Sequence, residues 1–300
     1  MFKLHRRQKR LCRRSQGVAG TLVDAARLSA RECQRQFRYE RWNCSIGTER
    51  IYLLNKAFKE TAFLYMISSA GLVHSFARAC SSSQMDRCTC DESFDEMANR
   101  QTWLWGGCGD NIRFGQRFAI KFLQAQEDRS SDIQATIHKH NSELGIKIVN
   151  EAITTICKCH GVSGSCTAHI CWKQLSHFQN LAKILKFKYE QAIKVTAITN
   201  HATSGTRWMS KWSNGVPARQ SKMDLIYLDD SPSFCRNSKY SSGTLGRICL
   251  KGDNCEVLCC GRGYNIQSYV IVKPCKCRVI WCCYVICKEC SAYEESYICK

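Results

Sequence analysis

The chain has 300 residues, and 23 of them are cysteine. This cysteine content excludes an ordinary cytosolic enzyme and predicts a secreted protein held together by disulfide bonds. A hydrophobic share of 44% with only 3 prolines excludes disorder, and the formal net charge of +19 favours an anionic partner. No nucleic-acid-binding module is recognisable, so we expect that partner to be sulphated polysaccharide rather than nucleic acid. The alternative is that the charge only keeps the chain soluble.

We expect the sequence to lack its true N-terminus. It opens with MFKLHRRQKRLCRR, a basic stretch without the apolar region that completes a signal peptide. The number of cysteines is odd and Cys12 stands well before Cys33, so its partner is expected in the missing segment. The sequence contains no run of about 20 apolar residues, so it predicts no membrane-spanning helix.

Residues 1–200 predict a helical domain. Apolar residues recur with helical spacing in the segments 17–37, 49–80, 111–127, 131–156 and 181–189. Residues 103–110, which read WLWGGCGD, predict a turn, and residues 193–198 alternate as in a strand. Residues 201–223 contain no cysteine and are rich in Ser, Thr and Gly, so they are interpreted as a linker.

Residues 224–300 predict a second, smaller domain. Helical periodicity is absent there, and alternating stretches at 269–272 and 279–286 predict strands. Its apolar content is too low for a self-sufficient core, so disulfides must supply the cross-links. The predicted fold class is therefore α+β, with a helical N-terminal domain that carries a stapled hairpin, and a small cysteine-rich β-hairpin domain.

The segment CKCHGVSGSCTAHICW, which begins at Cys157, predicts that hairpin. Nested pairing would form a ladder of two disulfides, Cys157–Cys171 and Cys159–Cys166. The loop above this ladder contains mostly small residues, and Ser163 lies at its tip. Such a stiff finger would present a single hydroxyl group to a partner.

Other interpretations of this segment compete with the finger. Its four cysteines and His160 could bind zinc, although the C-x-C and C-x4-C spacings do not match the usual ligand pairs. The sequence GVSG from Gly161 begins like the G-x-S-x-G elbow of hydrolases, but Ser165 replaces the last glycine and no strand–turn–helix pattern surrounds it. A disulfide-bonded loop whose serine has no role is a further alternative.

Residues 275–290 predict a second finger. Their sequence, CKCRVIWCCYVICKEC, is nearly symmetric about its centre, which favours the nested bonds Cys275–Cys290 and Cys277–Cys287. The tip would then consist of Trp281, Cys282, Cys283 and Tyr284. The two adjacent cysteines bond either separate partners or each other, and a bond between neighbours lies outside the usual geometry. An apolar aromatic tip resembles an interface hot spot, while the alternative is that Trp281 packs into the domain.

Several motifs are similar to those of the Wnt family of secreted, lipid-modified morphogens. They are ECQRQFRYERWNCS, RACSSSQMDRCTCD, WGGCGDN, CKCHGVSGSC, SPSFC, CCGRGYN, WCCYVIC and the closing YICK. The resemblance runs from about Gln8 to Lys300, and CKCHGVSGSC with the terminal cysteine array is highly specific. Phrases such as FKETAFLY and DDSPSFCRNSKYS resemble the Wnt-nine branch.

The resemblance implies a receptor ligand rather than an enzyme. In the family, the serine that matches Ser163 is acylated with palmitoleate, a monounsaturated C16 chain, by the membrane-bound O-acyltransferase Porcupine. This loop, the thumb, lies in an apolar groove on the cysteine-rich domain of Frizzled receptors, which implies receptor contacts by Gly161, Val162, Ser163 and Gly164. The second hairpin, the index finger, contacts the same domain from the other side, which implies contacts by Trp281, Cys282, Cys283 and Tyr284.

The resemblance implies further partners and a location. They are the carrier Wntless, a low-density-lipoprotein-receptor-related co-receptor and heparan sulphate proteoglycans, in the extracellular space and matrix. The expected role is activation of Wnt signalling, with or without β-catenin, in development and cell-fate commitment. Apart from the covalent acyl chain we expect no cofactor and no metal.

The resemblance also implies the remaining disulfides. They are Cys33–Cys44, Cys80–Cys88, Cys90–Cys108, Cys235–Cys260, Cys249–Cys255 and Cys259–Cys299, with Cys282–Cys283 as a bond between neighbours. Asn43 begins a glycosylation sequon whose middle residue is a cysteine, so we expect a weak acceptor.

Two other functions remain as hypotheses. A hydrolase using Ser163, or a thiol enzyme, would turn over an ester, but the sequence offers no base and orienting residue for it. A heparin-binding matrix protein would act without acylation and would lose its function when its basic face is neutralised.

Overall fold

The computed structural model describes residues 4–91, 104–125, 133–161, 168–199, 206–210, 222–282 and 284–300. The chain forms two compact units, one of Met1–Gln36 and Ile51–Ser231, the other of Phe37–Arg50 and Pro232–Lys300. The first unit is mostly helical, and the second is built from a long hairpin and disulfides. This arrangement confirms the predicted α+β class.

The helices of the first unit follow the predicted segments with three changes. These helices are α1 (Arg6–Arg13), α2 (Val18–Gln36), α3 (Glu49–Leu54), α4 (Lys59–Ser81), α5 (Ile112–Gln124), α6 (Ile133–Glu151) and α7 (Phe178–Glu190). Helix α1 was not predicted, because its eight residues are nearly all polar. The segment 49–80 is two helices because the backbone of Ala57 bonds outside the helix. Its N–H donates to the carboxylate of Asp229, and its carbonyl oxygen accepts from the N–H groups of Leu228 and Asp229. The helix predicted over 131–156 ends at Glu151, and a strand follows from Ile153.

Helix α4 is the centre of the first unit. It is buried along most of its length, and α2, α5, α6 and α7 all pack on it. Close approach requires glycine on two of the neighbours. A Cβ at Gly145 of α6 would lie 2.2 Å from the carbonyl oxygen of Met66, and one at Gly115 of α5 would lie 2.5 Å from that of Val73. Both distances are too short for any other residue without a helix shift.

Two small sheets complete this unit. The first has the order β1-β3-β2, from Leu104–Gly106, Ala168–Leu175 and Ile153–His160. The second has the order β5-β4-β6, from Thr206–Ser210, Ile193–Thr199 and Ile226–Tyr227. Strand β5 pairs antiparallel with β4 although it lies inside the segment 201–223 that was interpreted as a linker. Residues 201–205 and 211–221 of that segment lie outside the described residues.

The boundary between the units differs from the predicted boundary at residue 224. The buried side chain of Asn141 donates to the carbonyl oxygen of Ile226 at 2.9 Å and accepts from its N–H at 3.1 Å. Ile226 also packs with Ile137 and Val195. These contacts place residues 224–231 in the first unit, a tertiary effect that no local pattern reveals.

The second unit contains β7 (Ile248–Cys249), α8 (Cys255–Leu258), β8 (Tyr264–Ile280) and β9 (Tyr284–Cys299), with the strand order β7-β9-β8. Its small core consists of Cys249, Cys255, Leu258, Cys259 and Cys299, against which Tyr264 and Tyr297 pack. Residues 37–50 belong to this unit because the ring of Trp42 contacts that of Phe234.

Both units contain disulfide bonds. The bonds are Cys80–Cys88, Cys157–Cys171, Cys235–Cys260, Cys249–Cys255, Cys259–Cys299, Cys275–Cys290 and Cys277–Cys287. Four more cysteines are also disulfide-bonded: Cys33, Cys44, Cys159 and Cys282.

Five predicted cysteine partnerships stay open. Cys33–Cys44, Cys159–Cys166 and Cys282–Cys283 stay predictions because the partners of these bonded cysteines are not shown, and the other two concern Cys90 with Cys108 and Cys12. Reciprocal backbone hydrogen bonds between Asp91 and Gly109 bring the segments of Cys90 and Cys108 together. The Cys108 sulfur lies 3.6 Å from the carbonyl oxygen of Ser81. The bond between Cys108 and Cys90 stays a prediction. Cys12 has no disulfide partner among the described residues.

Candidate functional site

The predicted thumb is an antiparallel hairpin of β2 and β3. Cys157 lies directly opposite Cys171, and their Cα atoms are 4.1 Å apart across the disulfide. The pairing continues to His160 and Ala168, after which Gly161 is exposed. The stem therefore runs straight up to the predicted lipid-bearing loop. Four predicted site residues of this hairpin lie outside the described residues, namely Val162, Ser163, Gly164 and Cys166.

Asp110 anchors the base of this hairpin. Its Oδ2 accepts from the N–H of Leu175 at 2.8 Å, and its Oδ1 accepts from the hydroxyl of Ser81 on α4 at 2.8 Å. The carboxylate is buried, so these donors replace water as its hydrogen-bond partners. One side chain thus fastens strand β3 to the central helix.

The motif WGGCGDN acts as a second support for β3. The N–H of Gly107 donates to the carbonyl oxygen of Cys171 at 2.9 Å, and that of Asp110 donates to the carbonyl oxygen of Lys173 at 2.9 Å. A Cβ at Gly109 would lie 2.8 Å from the same Lys173 oxygen. Residues 103–110 were predicted to be a turn, whereas Leu104–Gly106 form strand β1. The glycine-rich spacing of the motif was the signal of a close backbone approach.

His74 fixes the end of β3. This buried side chain on α4 donates from Nε2 to the carbonyl oxygen of Ser176 at 3.1 Å, while its Nδ1 has no hydrogen-bond partner among the described residues. Burial lowers the pKa of His74, and the Arg78 charge acts in the same direction. The ring is therefore held neutral at the point where the chain leaves the hairpin.

The disulfides argue against the zinc alternative. Cys157, Cys159 and Cys171 are all disulfide-bonded, and zinc binds thiolates rather than disulfide sulfurs. The same reasoning applies to the cluster of Cys249, Cys259 and Cys299 in the second unit.

The predicted index finger is the hairpin of β8 and β9. None of its described residues from 265 to 295 is buried, so both faces of the ribbon meet solvent. Two disulfides lie near its far end, Cys275–Cys290 and Cys277–Cys287. Between them is a β-bulge, because Cys275 pairs with Lys288 whereas Arg278 pairs with Ile286.

The tip of this hairpin is apolar and open. Trp281 is 93% exposed, Val279 81% and Tyr284 60%. The alternative that Trp281 packs into the domain is therefore wrong. Cys282 has a positive φ of 88° and is disulfide-bonded, and Cys283 lies outside the described residues. A large apolar side chain at such exposure favours a surface that a partner covers.

None of the helices among the described residues is long and apolar enough to cross a membrane.

Comparisons with known proteins agree over the whole length. The sequence model of the wnt family matches residues 1–300. Protein Wnt-9a of Gallus gallus is 51% identical over 304 residues, covering 100% of this chain and 85% of the relative. Protein Wnt-9b of Mus musculus is 50% identical over 303 residues, covering 100% and 84%. The structure described as human WLS in complex with WNT8A matches with a TM-score of 0.67 and 30% identity, covering 94% of this chain and 93% of the other.

Proposed function

Because the chain belongs to the Wnt family, we propose that it is a secreted ligand whose acylated Ser163 binds the cysteine-rich domain of Frizzled receptors. Members of this family are signalling ligands and not enzymes, so the hydrolase alternative is wrong. The single observation that carries the proposal is the thumb stem, a disulfide-bonded hairpin whose strands run directly to the loop of Ser163.

The acyl chain would supply most of the affinity of the thumb. Burial of a hydrocarbon contributes about 0.8 kcal/mol per CH₂, so a C16 chain brings on the order of 10 kcal/mol before entropy losses. A rigid stem lowers that entropy loss because the loop has few conformations to give up. The base contacts of Asp110 and the Cys157–Cys171 bond support this rigidity.

The exposed tip of the index finger supports a second contact with the same receptor domain. Trp281 and Tyr284 offer aromatic area that is mostly exposed, so its burial against a partner would add affinity. Activation of Wnt signalling in development would follow from the two contacts, of the thumb and of the index finger, with this receptor domain.

The other proposed partners follow from the family. The similarity to a Wnt bound to its carrier supports Wntless as the carrier here, because a C16 chain must be shielded from water during secretion. Porcupine would add the palmitoleate, a low-density-lipoprotein-receptor-related protein would serve as co-receptor, and heparan sulphate proteoglycans would hold the ligand in the extracellular matrix.

The test compares Ser163→Ala with Ser165→Ala, a matched loss of a hydroxyl in the same loop. Each protein is secreted behind a heterologous signal peptide, and the loop peptide is analysed by mass spectrometry. We expect a C16:1 increment on the parent and on Ser165→Ala, and none on Ser163→Ala. Binding to a purified Frizzled cysteine-rich domain should follow the increment.

Two results would overturn the proposal. One is an unmodified Ser163 peptide from correctly disulfide-bonded, secreted protein. The other is undiminished receptor-domain binding by Ser163→Ala, since the acyl chain would then supply no affinity.

A further inference from the structure

The outer edge of strand β9 has no role in the proposed receptor contacts. On one side β9 pairs with β8 along its whole length. On the other side, among the residues that the structure describes, only Ile248–Cys249 pair with it, opposite Ile298 and Tyr297. All residues from 287 to 296 are exposed or half-buried. The stretch 287–295, called the β9 edge below, is therefore an open strand edge.

Hydrogen bonds at the base of β9 indicate which backbone groups point to this edge. The N–H of Cys299 donates away from β8, to the carbonyl oxygen of Arg247 at 2.9 Å. The next N–H, that of Lys300, donates to the carbonyl oxygen of Gly263, just before β8, at 3.1 Å. This direction alternates along a strand, and the register from 288 to 299 contains no bulge. The residues whose N–H and C=O groups point away from β8 are therefore Glu289, Ser291, Tyr293 and Glu295.

The β9 edge lacks the features that usually block a strand edge, which are proline, a bulge or repelling charge. It contains no proline, and the bulge of the hairpin places its extra residue on β8. Its charges are of both signs, with Lys288 and Glu289 near one end and Glu294 and Glu295 near the other. The edge can therefore accept another strand, and the charges select which strand fits.

A second copy of the same edge fits these charges. Two copies that pair antiparallel about Ser291 place Lys288 of each opposite Glu294 of the other. The outward-pointing residues then also face one another, Glu289 opposite Tyr293, as a hydrogen-bonded ladder requires. A shift by two residues in one direction removes both lysine–glutamate pairs. The opposite shift places Glu289 opposite Glu295, and like charges in that position destabilise a sheet.

The hairpin limits the paired stretch at both ends. At one end β7 occupies the edge opposite Tyr297, and at the other the bulge opposite Cys287 bends the ribbon. The regular open stretch lies between these limits, and Ser291 is at its middle. A symmetric pair uses the β9 edge of both copies, so this mode of pairing closes at two chains.

We infer that two copies of the protein associate through their β9 edges into a four-stranded sheet with the order β8-β9-β9-β8. Main-chain hydrogen bonds supply the affinity of such strand addition. Exposed ion pairs add little, so the lysine–glutamate pairs chiefly select the register. Glu294 already contacts Lys273 of its own chain at 2.5 Å, and both side chains stay accessible to a second lysine. Trp281 and Tyr284 lie beyond the paired stretch, so the inference goes further than the proposed receptor contacts and does not depend on them.

The test is sedimentation equilibrium of the full-length, disulfide-bonded protein in a density-matched detergent that shields any acyl chain. We expect the parent to form a dimer as its concentration rises. Lys288→Glu and Glu294→Lys each place like charges opposite one another twice in the dimer, so each should raise the dimer Kd about tenfold. The double variant restores both pairs and should return to within about threefold of the parent. Lys239→Glu and Asp253→Lys make the same charge changes at exposed residues outside both strands and should leave the dimer Kd unchanged.

Ser291→Pro tests the main-chain bonds separately. It removes an N–H that points to the open edge and is not used by β8, so the hairpin and its two disulfides should remain while the dimer is lost. Amide hydrogen exchange of the parent gives a second measurement. Exchange at Ser291 and Tyr293 should slow as the dimer forms, and only then.

The inference is wrong under any of three outcomes. The parent could stay monomeric at every concentration up to its solubility limit. A dimer that withstands Ser291→Pro and both single charge reversals would assign association to another surface. A loss that the double variant does not reverse would exclude the register about Ser291. An unmodified Ser163 would change none of these results, because the detergent removes any contribution of the acyl chain, so failure of the Ser163 proposal is distinguishable from failure of the dimer.

Discussion

The two hairpins are similar in design but are stabilised in different ways. In the thumb, β3 lies between β1 and β2, and Asp110 and His74 fasten its end to α4. In the index finger, β8 and β9 are exposed on both faces, and among the described residues only the two-residue strand β7 adds to the hairpin, by pairing with β9 near the base. The thumb therefore rests on a packed core, whereas the index finger depends on covalent bonds.

The difference follows from the physics of two-stranded ribbons. An isolated hairpin is marginally stable in water, so it needs either a third layer or cross-links. A lipid-bearing loop requires a stem that keeps its direction, which packing on helices provides. An exposed tip that contacts a partner must extend beyond its own unit. In the index finger, two disulfides on either side of a β-bulge stabilise the hairpin that carries the tip.

The largest expected effect comes from removing one disulfide in each hairpin. Cys275→Ser with Cys290→Ser and Cys157→Ser with Cys171→Ser open loops of 15 and 14 residues, so each loses about 3 kcal/mol of loop-closure stabilisation. We expect hydrogen exchange to show lost amide protection throughout β8 and β9, but retained protection at the base of β3. Equal loss in both hairpins would mean that packing adds nothing to the thumb.

Asp110→Asn should weaken the thumb alone. The amide retains one acceptor oxygen but turns its NH₂ group toward a donor, which costs about 2 kcal/mol at a buried site. Chemical denaturation with the disulfides intact would measure this, alongside amide exchange of β3. Asp24→Asn, at an exposed carboxylate, is the control and should change stability by less than about 0.5 kcal/mol. A stable Asp110→Asn protein would show that the anchor is dispensable.

Trp281→Ala should reduce affinity for the Frizzled cysteine-rich domain about tenfold, or about 1.4 kcal/mol, without altering stability. Tyr293→Ala removes an aromatic side chain that is 84% exposed on the shank of the same hairpin. Surface plasmon resonance with acylated protein should show a loss only for the tip variant. If the two variants bind equally well, the tip does not contact the receptor.

The smallest effect is a pH dependence confined to the first unit. Burial lowers the pKa of His74, so the unfolded chain takes up a proton at its ordinary value near 6.5 before the folded chain does. Stability should therefore fall as the pH drops below that value, and His74→Gln should reduce this dependence. His5→Gln, at an exposed histidine whose charge does not shift the pKa of His74, should leave it in place. Residues 224–300 contain no histidine, so exchange in the index finger should not respond.

Much of the fold was predictable because its signals are local. The symmetric spacing of the cysteines predicted pairs such as Cys157–Cys171 and Cys275–Cys290, and both disulfides are present. Helical periodicity located α2, α5, α6 and α7 to within a few residues, although it ran beyond Glu151 into strand β2. The family and the absence of catalysis are confirmed by the comparisons.

The rest depended on contacts between distant residues. The break at Ala57 and the assignment of residues 224–231 come from hydrogen bonds that cross much of the sequence, such as those of Asn141. The anchoring role of Asp110 was likewise hidden, because an aspartate in a glycine-rich turn usually caps that turn. The exposure of Trp281 was open from sequence, since spacing alone does not decide which face of a hairpin meets solvent.

The bulge and the proline of strand β8 oppose the association of two copies of the protein through the edges of this strand. It is an edge strand over its full length, and an exposed edge offers unpaired N–H and C=O groups to a second chain. Pro274 has no N–H to offer, and the bulge that follows at Cys275 interrupts the regular spacing that a new strand would need. Lys273 and Lys276 add charge on either side of the proline. The extended finger thus carries its own protection against the edge-to-edge stacking that would end in aggregation.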